Sequence, residues 1–287
     1  MNDTTETAMR IAESIAALPP LPSTAQKILT CFGDEYIDAD EVAAVVEDDP
    51  GICARLLGLS NSSYFGLAEP VNSIHDAIAR VLGVDTVRSL VLAMAIQRSF
   101  NSKKCPAFDS VQFWTRSLQV AECCKKIAAA DESSDAIVRD LAYSAGLCHN
   151  LGLMALAHIE ADRTNQVLQA HSEQMEPGNL RKLFFEELKT DHRILTAELS
   201  RLWSLPALMV DAYQYHAFPE LQDNGRLGLI VSAGAAAVGN IDTEKGQHAD
   251  LQHCADSIGL DADELQQMAM MGDRLKDSIQ SMSSNMA

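Results

Sequence analysis

The chain has 287 residues, 47% hydrophobic and 22% charged, enough for one large domain or two smaller ones, and too apolar for a disordered chain. Its 40 acidic residues against 22 Lys and Arg give a net charge of −18. Such a balance repels nucleic-acid phosphates and anionic membranes, so neither is an expected partner.

The longest strictly apolar run, LVLAMAI at 90–96, is too short to cross a bilayer. The N-terminus lacks the basic region followed by an apolar stretch that marks a secretory signal. Seven cysteines at irregular spacing fit a reducing compartment better than a disulfide framework. A cytoplasmic location is therefore expected.

Apolar positions recur at three and four along nearly the whole chain, without sustained alternation, so an all-α fold is expected. A leading helix is assigned to residues 1–17, and LPPLP (18–22) separates it from the body. Residues 31–50 carry eight carboxylates and no Lys or Arg. That run reads as a solvated helix face, with a dock for a basic partner as the alternative. Within it, Asp38 and Glu41 form a capping box, and Asp49-Pro50 opens the helix GICARLLGL.

The polar stretch SNSSYFGLAEPVNS (60–73) is a loop. Its Tyr64 and Phe65 either present an aromatic partner contact or fold back to plug the bundle. Ser73 with Asp76 opens IHDAIARVL, which Gly83 ends in a left-handed conformation. Asp85 is expected to cap TVRSLVLAMAIQRSF, whose residues 90–96 are apolar on every side and must be buried all round. Arg55 and Arg88 are candidate contacts for an acidic partner, or pair with the acidic run.

NSKKCPAF (101–108) is the expected boundary between two lobes. Trp114, Trp203 and the Cys123-Cys124 pair fall on apolar helical faces and read as core. MEPGN (175–179) is a turn, and GAAAVG (234–239) marks close helix packing. Asp261 with Glu264 forms another capping box, and the tail from about Ser278 is expected to fray. No phosphate loop, dinucleotide fingerprint, nucleophile elbow, Cys-x-x-Cys or His-Glu-x-x-His occurs in the sequence.

LPPLPSTAQKIL followed by VVEDDPGICARLLGLSNSSYFGLAEPVNSIHDAIARVLGVDTVRSLVLAMAI resembles the HDOD domain, the HD-related output domain of bacteria. The shared signs are Leu-Pro-x-Leu-Pro, an Asp-Pro before a helix, Asn61-Ser62 then Tyr64-Phe65-Gly66, Ser73-Ile74 and the Leu-Gly pair at 82–83. The likeness continues more loosely through AYSAGLCHNLGLMAL (142–156) and TDHRILTAELSRLWSLPALMVDAYQYH (190–216).

The resemblance implies a two-lobed all-α fold. Residues 18–100 form an N-terminal helical bundle and 108–240 a lobe similar to HD-type phosphohydrolases; the likeness ends there, and 241–287 are read from their own pattern as a C-terminal helical extension. The resemblance also implies a signalling role without hydrolase activity, and the expected target is an unidentified signalling partner protein or a small nucleotide ligand.

HD enzymes hold a metal with an early His, a His-Asp pair and a late Asp. The positions that align here are Ser117, then His149 with Asn150, then the neighbourhood of Gly234. His192 and His216 match further histidines of the related HD-GYP enzymes, although Ala217 follows where a second His is usual. An amide brings no negative charge, so metal affinity should fall sharply. The expectation is no metal, no cofactor and no catalytic residue, with His149, Asn150, His192 and His216 as candidate lining of a ligand pocket. Ordinary hydrogen-bonded histidines are the plainer alternative. The competing function is a metal-dependent phosphohydrolase acting on nucleotides or cyclic dinucleotides. It requires Asp140, Asp191 or Glu187 to replace the lost ligands.

Overall fold

The computed structural model describes residues 16–32, 38–62, 65, 67–174, 180–217, 225–241 and 248–273. The expected leading helix up to residue 15, Tyr64, the turn at 175–179 and the tail from Ser278 lie outside the described residues. Every regular element among the described residues is helical, and none is long and apolar enough to cross a membrane.

The first helices follow their capping residues. After the extended Pro22, α1 runs Ser23–Leu29. α2 (Ala39–Glu47) starts where the Asp38 carboxylate accepts from the N–H groups of Asp40 (2.9 Å) and Glu41 (3.0 Å). α3 (Pro50–Ser60) starts where Asp49 accepts from Gly51 and Ile52, with proline first because that position needs no N–H donor. The side chain of Asn61 then donates to the Val71 carbonyl (2.9 Å) and accepts from the Val71 N–H (2.8 Å), closing the base of the following loop. Phe65 is half-buried there and packs on the core.

α4 (Ile74–Ala77) is capped by Ser73 and continues into a π-helical turn, Ile78–Leu82. Gly83 stops it at φ 77°, a conformation that favours glycine. α5 (Val84–Gln97) begins at once. Asp85 is not its cap, contrary to expectation: the chain leaves the π turn through Gly83, so Asp85 already lies in the first helical turn.

Residues 90–96 of α5 are buried on every side, as their composition requires. α5 packs against α1 on one side and, on another, against a helix of the second half described below.

Arg88, a candidate partner contact, lies inside the fold. It is only 6% exposed and so offers no partner surface. Its guanidinium donates to the Cys31 carbonyl (2.5 Å), forms an ion pair with Asp85 and lies 5.2 Å from the Phe32 ring centroid. It stitches α5 to the turn after α1. Arg88→Ala should therefore cost about 2–4 kcal/mol, because it strands a buried carbonyl and removes packed methylenes. Thermal denaturation reads this, and an unchanged melting temperature would restore Arg88 as a surface residue.

The second half opens with α6 (Ser110–Ala130) and α7 (Ala136–Cys148), capped by Asp109 and Asp135. α7 is the helix that meets α5, and Ser89 and Ser144 are hydrogen-bonded across this buried contact. Then come α8 (Leu151–Ile159), α9 (Ala161–Gln174), α10 (Leu180–Leu188), α11 (His192–Leu202) and α12 (Ala207–Ala217). α13 (Arg226–Ile241), α14 (His248–Ile258) and α15 (Ala262–Asp273) complete the chain. Before α15 the Glu264 carboxylate accepts from the Asp261 N–H (3.2 Å), as the expected capping box requires, while the Asp261 carboxylate accepts from the Asp263 N–H (2.9 Å).

α6, α7 and α13 approach closely through glycine. A Cβ on Gly146 or Gly234 would lie 2.9 or 2.7 Å from Cys124 Sγ. Trp114 and Trp203 are core residues, as are Cys123 and Cys124. Burial pushes the Cys123 thiol up to about 12, so it is no reactive thiolate.

Arg226 fastens the C-terminal helices. It grips the buried Asp131 carboxylate at 2.6 and 2.5 Å and also donates to the last carbonyls of α14, Ser257 and Ile258. These bonds hold Asp131 down at about 2.

Candidate functional site

The CHNLG stretch forms the corner between α7 and α8. His149 ends α7, and Asn150 (φ −120°, ψ 21°) precedes α8 without capping it through its side chain. His149 Nδ1 lies 2.8 Å from the Gly146 carbonyl. A carbonyl oxygen only accepts, so Nδ1 carries the ring proton and Nε2 is the acceptor. The His216 ring, from α12, stands 6.0 Å from the His149 ring, centroid to centroid, at 70°. Its Nδ1 is 3.0 Å from Ser232 Oγ on α13.

His192 opens α11 with its ring 5.7 Å from that of Phe184 on α10. Its charge would be felt at His216, as would that of His149. His149 and His216 are thus in ring contact, His192 lies within electrostatic reach of both, and half-buried Asn150 follows His149 at the start of α8. His192 Nδ1 and Asn150 Oδ1 are both buried there without a hydrogen-bond partner.

Two arginines and the buried Asp191 carboxylate set the charge around these rings. Arg193 reaches the His216 carbonyl (3.4 Å), and Arg181 reaches the Ala217 carbonyl (2.9 Å) and Asp191 (2.8 Å). Burial lowers the His149 imidazole to about 4, with Arg193 adding to the effect. It lowers His192 to about 3, and His216 also lies well below its ordinary value. All three rings are neutral near pH 7.

A hydrolytic metal does not fit these residues. Ser117 is buried on α6 and offers only a hydroxyl. Gly234 has Cys124 Sγ where its Cβ would go, leaving no room for an aspartate. Among the described residues no three His, Cys, Asp or Glu side chains form a group able to hold an ion. The candidate replacements are engaged elsewhere. Asp191 accepts from the N–H groups of Arg193 (2.8 Å) and Ile194 (3.0 Å) and is gripped by Arg181. Glu187 pairs with Arg163 at 3.3 Å, and Asp140 is exposed on α7.

Of the four candidate partner contacts, Phe65 and Arg88 are turned into the fold, and half-buried Arg55 donates to Gln97 (3.3 Å). Arg181, Arg193 and Ser232 were not singled out from sequence. Asp191 caps α11, and no local pattern in the sequence places Arg181 opposite it.

A sequence model of the HDOD domain matches residues 18–219, well over half of the chain. The chain belongs to the HDOD domain family. An HDOD domain protein of unknown function from Geobacter sulfurreducens shares the fold at TM-score 0.73, with 22% identity and 99% of both chains covered. A candidate signal transduction protein from Marinobacter aquaeolei VT8 gives a TM-score of 0.81 at 24% identity, over 100% of this chain and 66% of that one. A candidate phosphohydrolase from Shewanella amazonensis SB2B gives 0.73 at 21% identity, over 97% and 98%. At these identities the likeness is one of fold. An uncharacterised protein of Treponema pallidum (strain Nichols) is 24% identical over 213 residues, so this HDOD chain spans 74% of itself but only 40% of that relative.

Proposed function

We propose that this HDOD protein is a non-catalytic signal-transduction module of the bacterial cytoplasm, acting by binding a signalling partner protein or a small ligand. Residues 18–100 and 108–240 serve as its two lobes and 241–287 as an extension. The observation that carries this reading is the donor set at the corner of α7 and α8. It offers neutral imidazoles and an amide, while the nearby carboxylate of Asp191 is committed to Arg181 and two backbone N–H groups. Arg181 and Arg193 favour an anionic ligand there, such as the phosphate of a nucleotide. The orphaned His192 Nδ1 and Asn150 Oδ1 supply polar contacts for it.

The competing phosphohydrolase reading needs a bound cation. The purified full chain, incubated with manganese, iron or zinc and then desalted, is expected to retain less than about a tenth of an equivalent of metal. It should also cleave activated phosphodiesters no faster than buffer does. Near-stoichiometric metal together with turnover would overturn the non-catalytic reading.

A further inference from the structure

α8 and α11 share both of their ends. At one end Asn150 precedes α8 and His192 opens α11, both within the imidazole region. The two helices touch there backbone to backbone. A Cβ on Gly152 would overlap the His192 carbonyl oxygen, and the Gly152 N–H donates to Thr196 Oγ1 at 2.9 Å.

At the other end both helices close on Phe100. The ring of His158, near the end of α8, lies 5.9 Å from that of Phe100, and Trp203, which ends α11, lies 5.8 Å from it on another side. His158 Nδ1 also accepts from the Asn101 N–H (3.1 Å), and Trp203 Nε1 donates to the Pro19 carbonyl at 3.2 Å. Phe100 and Asn101 lie just beyond the end of α5, and Pro19 lies in the LPPLP segment before α1. The helices rise about 14 and 16 Å over their 9 and 11 residues. They therefore run from the proposed binding region to the segments that begin and end the N-terminal half.

We propose that α8 and α11 move as a paired lever, coupling occupancy of the region around His149, Asn150 and His192 to the contacts of Trp203 and His158 with Pro19 and Phe100. This rests on the reading of that region as a ligand site. A close-packed pair without space between its backbones shifts as one body, so a ligand that reorients Asn150 or His192 displaces the far ends as well. By reciprocity, a partner that takes hold of the LPPLP segment alters affinity at the imidazoles.

The test labels the full chain with 5-fluorotryptophan, which gives two fluorine resonances, Trp203 being assigned by its loss in Trp203→Phe. Inorganic phosphate is titrated against chloride at matched ionic strength, while the imidazole C–H resonances of His149 and His216 are followed in the same samples. The expected result is a saturable shift of the imidazoles and of Trp203 at the same phosphate concentration. Moving imidazoles with a stationary Trp203 would overturn the lever and leave the ligand site standing.

If phosphate moves neither, the anionic-ligand reading fails, and two variants decide the lever without a ligand. Asn150→Ser and His192→Asn should each displace the Trp203 resonance by more than its linewidth. Leu265→Val, buried on α15 away from the pair, should leave it in place. A Trp203 resonance unmoved in whichever of the two variants folds would end the proposal.

Discussion

Gly152→Ala is expected to destabilise the protein by more than about 4 kcal/mol, lowering the melting temperature by about 10 °C or preventing soluble expression. The new methyl carbon would overlap the His192 carbonyl oxygen and lie 2.7 Å from the Thr196 nitrogen. All the atoms it meets belong to the backbone, so no side-chain rotation relieves the clash. α8 and α11 must separate, which breaks the hydrogen bond from the Gly152 N–H to Thr196 Oγ1 and opens the packing beneath His149 and Asn150.

Gly83→Ala and Gly259→Ala provide the contrast. Both glycines have positive φ, 77° and 81°, but nothing lies within 4 Å of an added Cβ. Only the backbone conformation is strained there, at about 1–3 kcal/mol each. Thermal melts of the three variants separate the two mechanisms. A drop at Gly152 no larger than those at Gly83 and Gly259 would mean that α8 and α11 are not in contact as described.

Acidification from pH 7.5 to 5 is expected to remove several kcal/mol of stability, well before buried Asp131 titrates at about 2. In the unfolded chain His149, His192 and His216 take up protons near 6.5. In the fold, burial first and the nearby arginines second lower His149 to about 4 and His192 to about 3, with His216 shifted the same way. Between those values the unfolded state binds more protons than the folded state, so stability rises with pH. It is fully present above about 6.5 and is lost as pH falls toward the folded values.

At pH 5 the loss is about 2 kcal/mol each for His149 and His192, with His216 adding to it in the same direction. His171 adds a smaller effect of the same sign. Urea unfolding across this range measures the slope. His216→Asn should flatten it by about a third, because one of the three protons is no longer taken up on unfolding. A stability that stays level between pH 7 and 5 would show the imidazoles to be hydrated and accessible.

Several local features could be read directly. Asp38, Asp49, Ser73 and the Asp261–Glu264 box cap helices where their spacing implies. The all-apolar stretch 90–96 lies where it must, inside. Asp85 shows the limit of such reasoning. An aspartate before an apolar run looks like a cap, but the preceding π turn delivers the chain into α5 two residues sooner. Arg88 shows another. An arginine on a helix looks solvent-facing until the partners brought to it, the Cys31 carbonyl and the Phe32 ring, are known. Ser117, Asn150 and the neighbourhood of Gly234 could be read as residue types that differ from HD metal ligands, whereas the engagement of Asp191 by Arg181 could not.

The order of residues was enough for the helical class and the family, because each depends on identity or on partners within one helical turn. Packing alone established that Gly152 joins α8 to α11, that Trp203 reaches Pro19 and that three imidazoles are buried near two arginines. Those partners are 44 residues apart for Gly152 and Thr196 and 184 apart for Trp203 and Pro19. Over such distances no local pattern records which faces meet. The meeting is set by how the apolar surfaces of whole helices are removed from water together, and the polar groups carried with them take whatever neighbours that burial leaves.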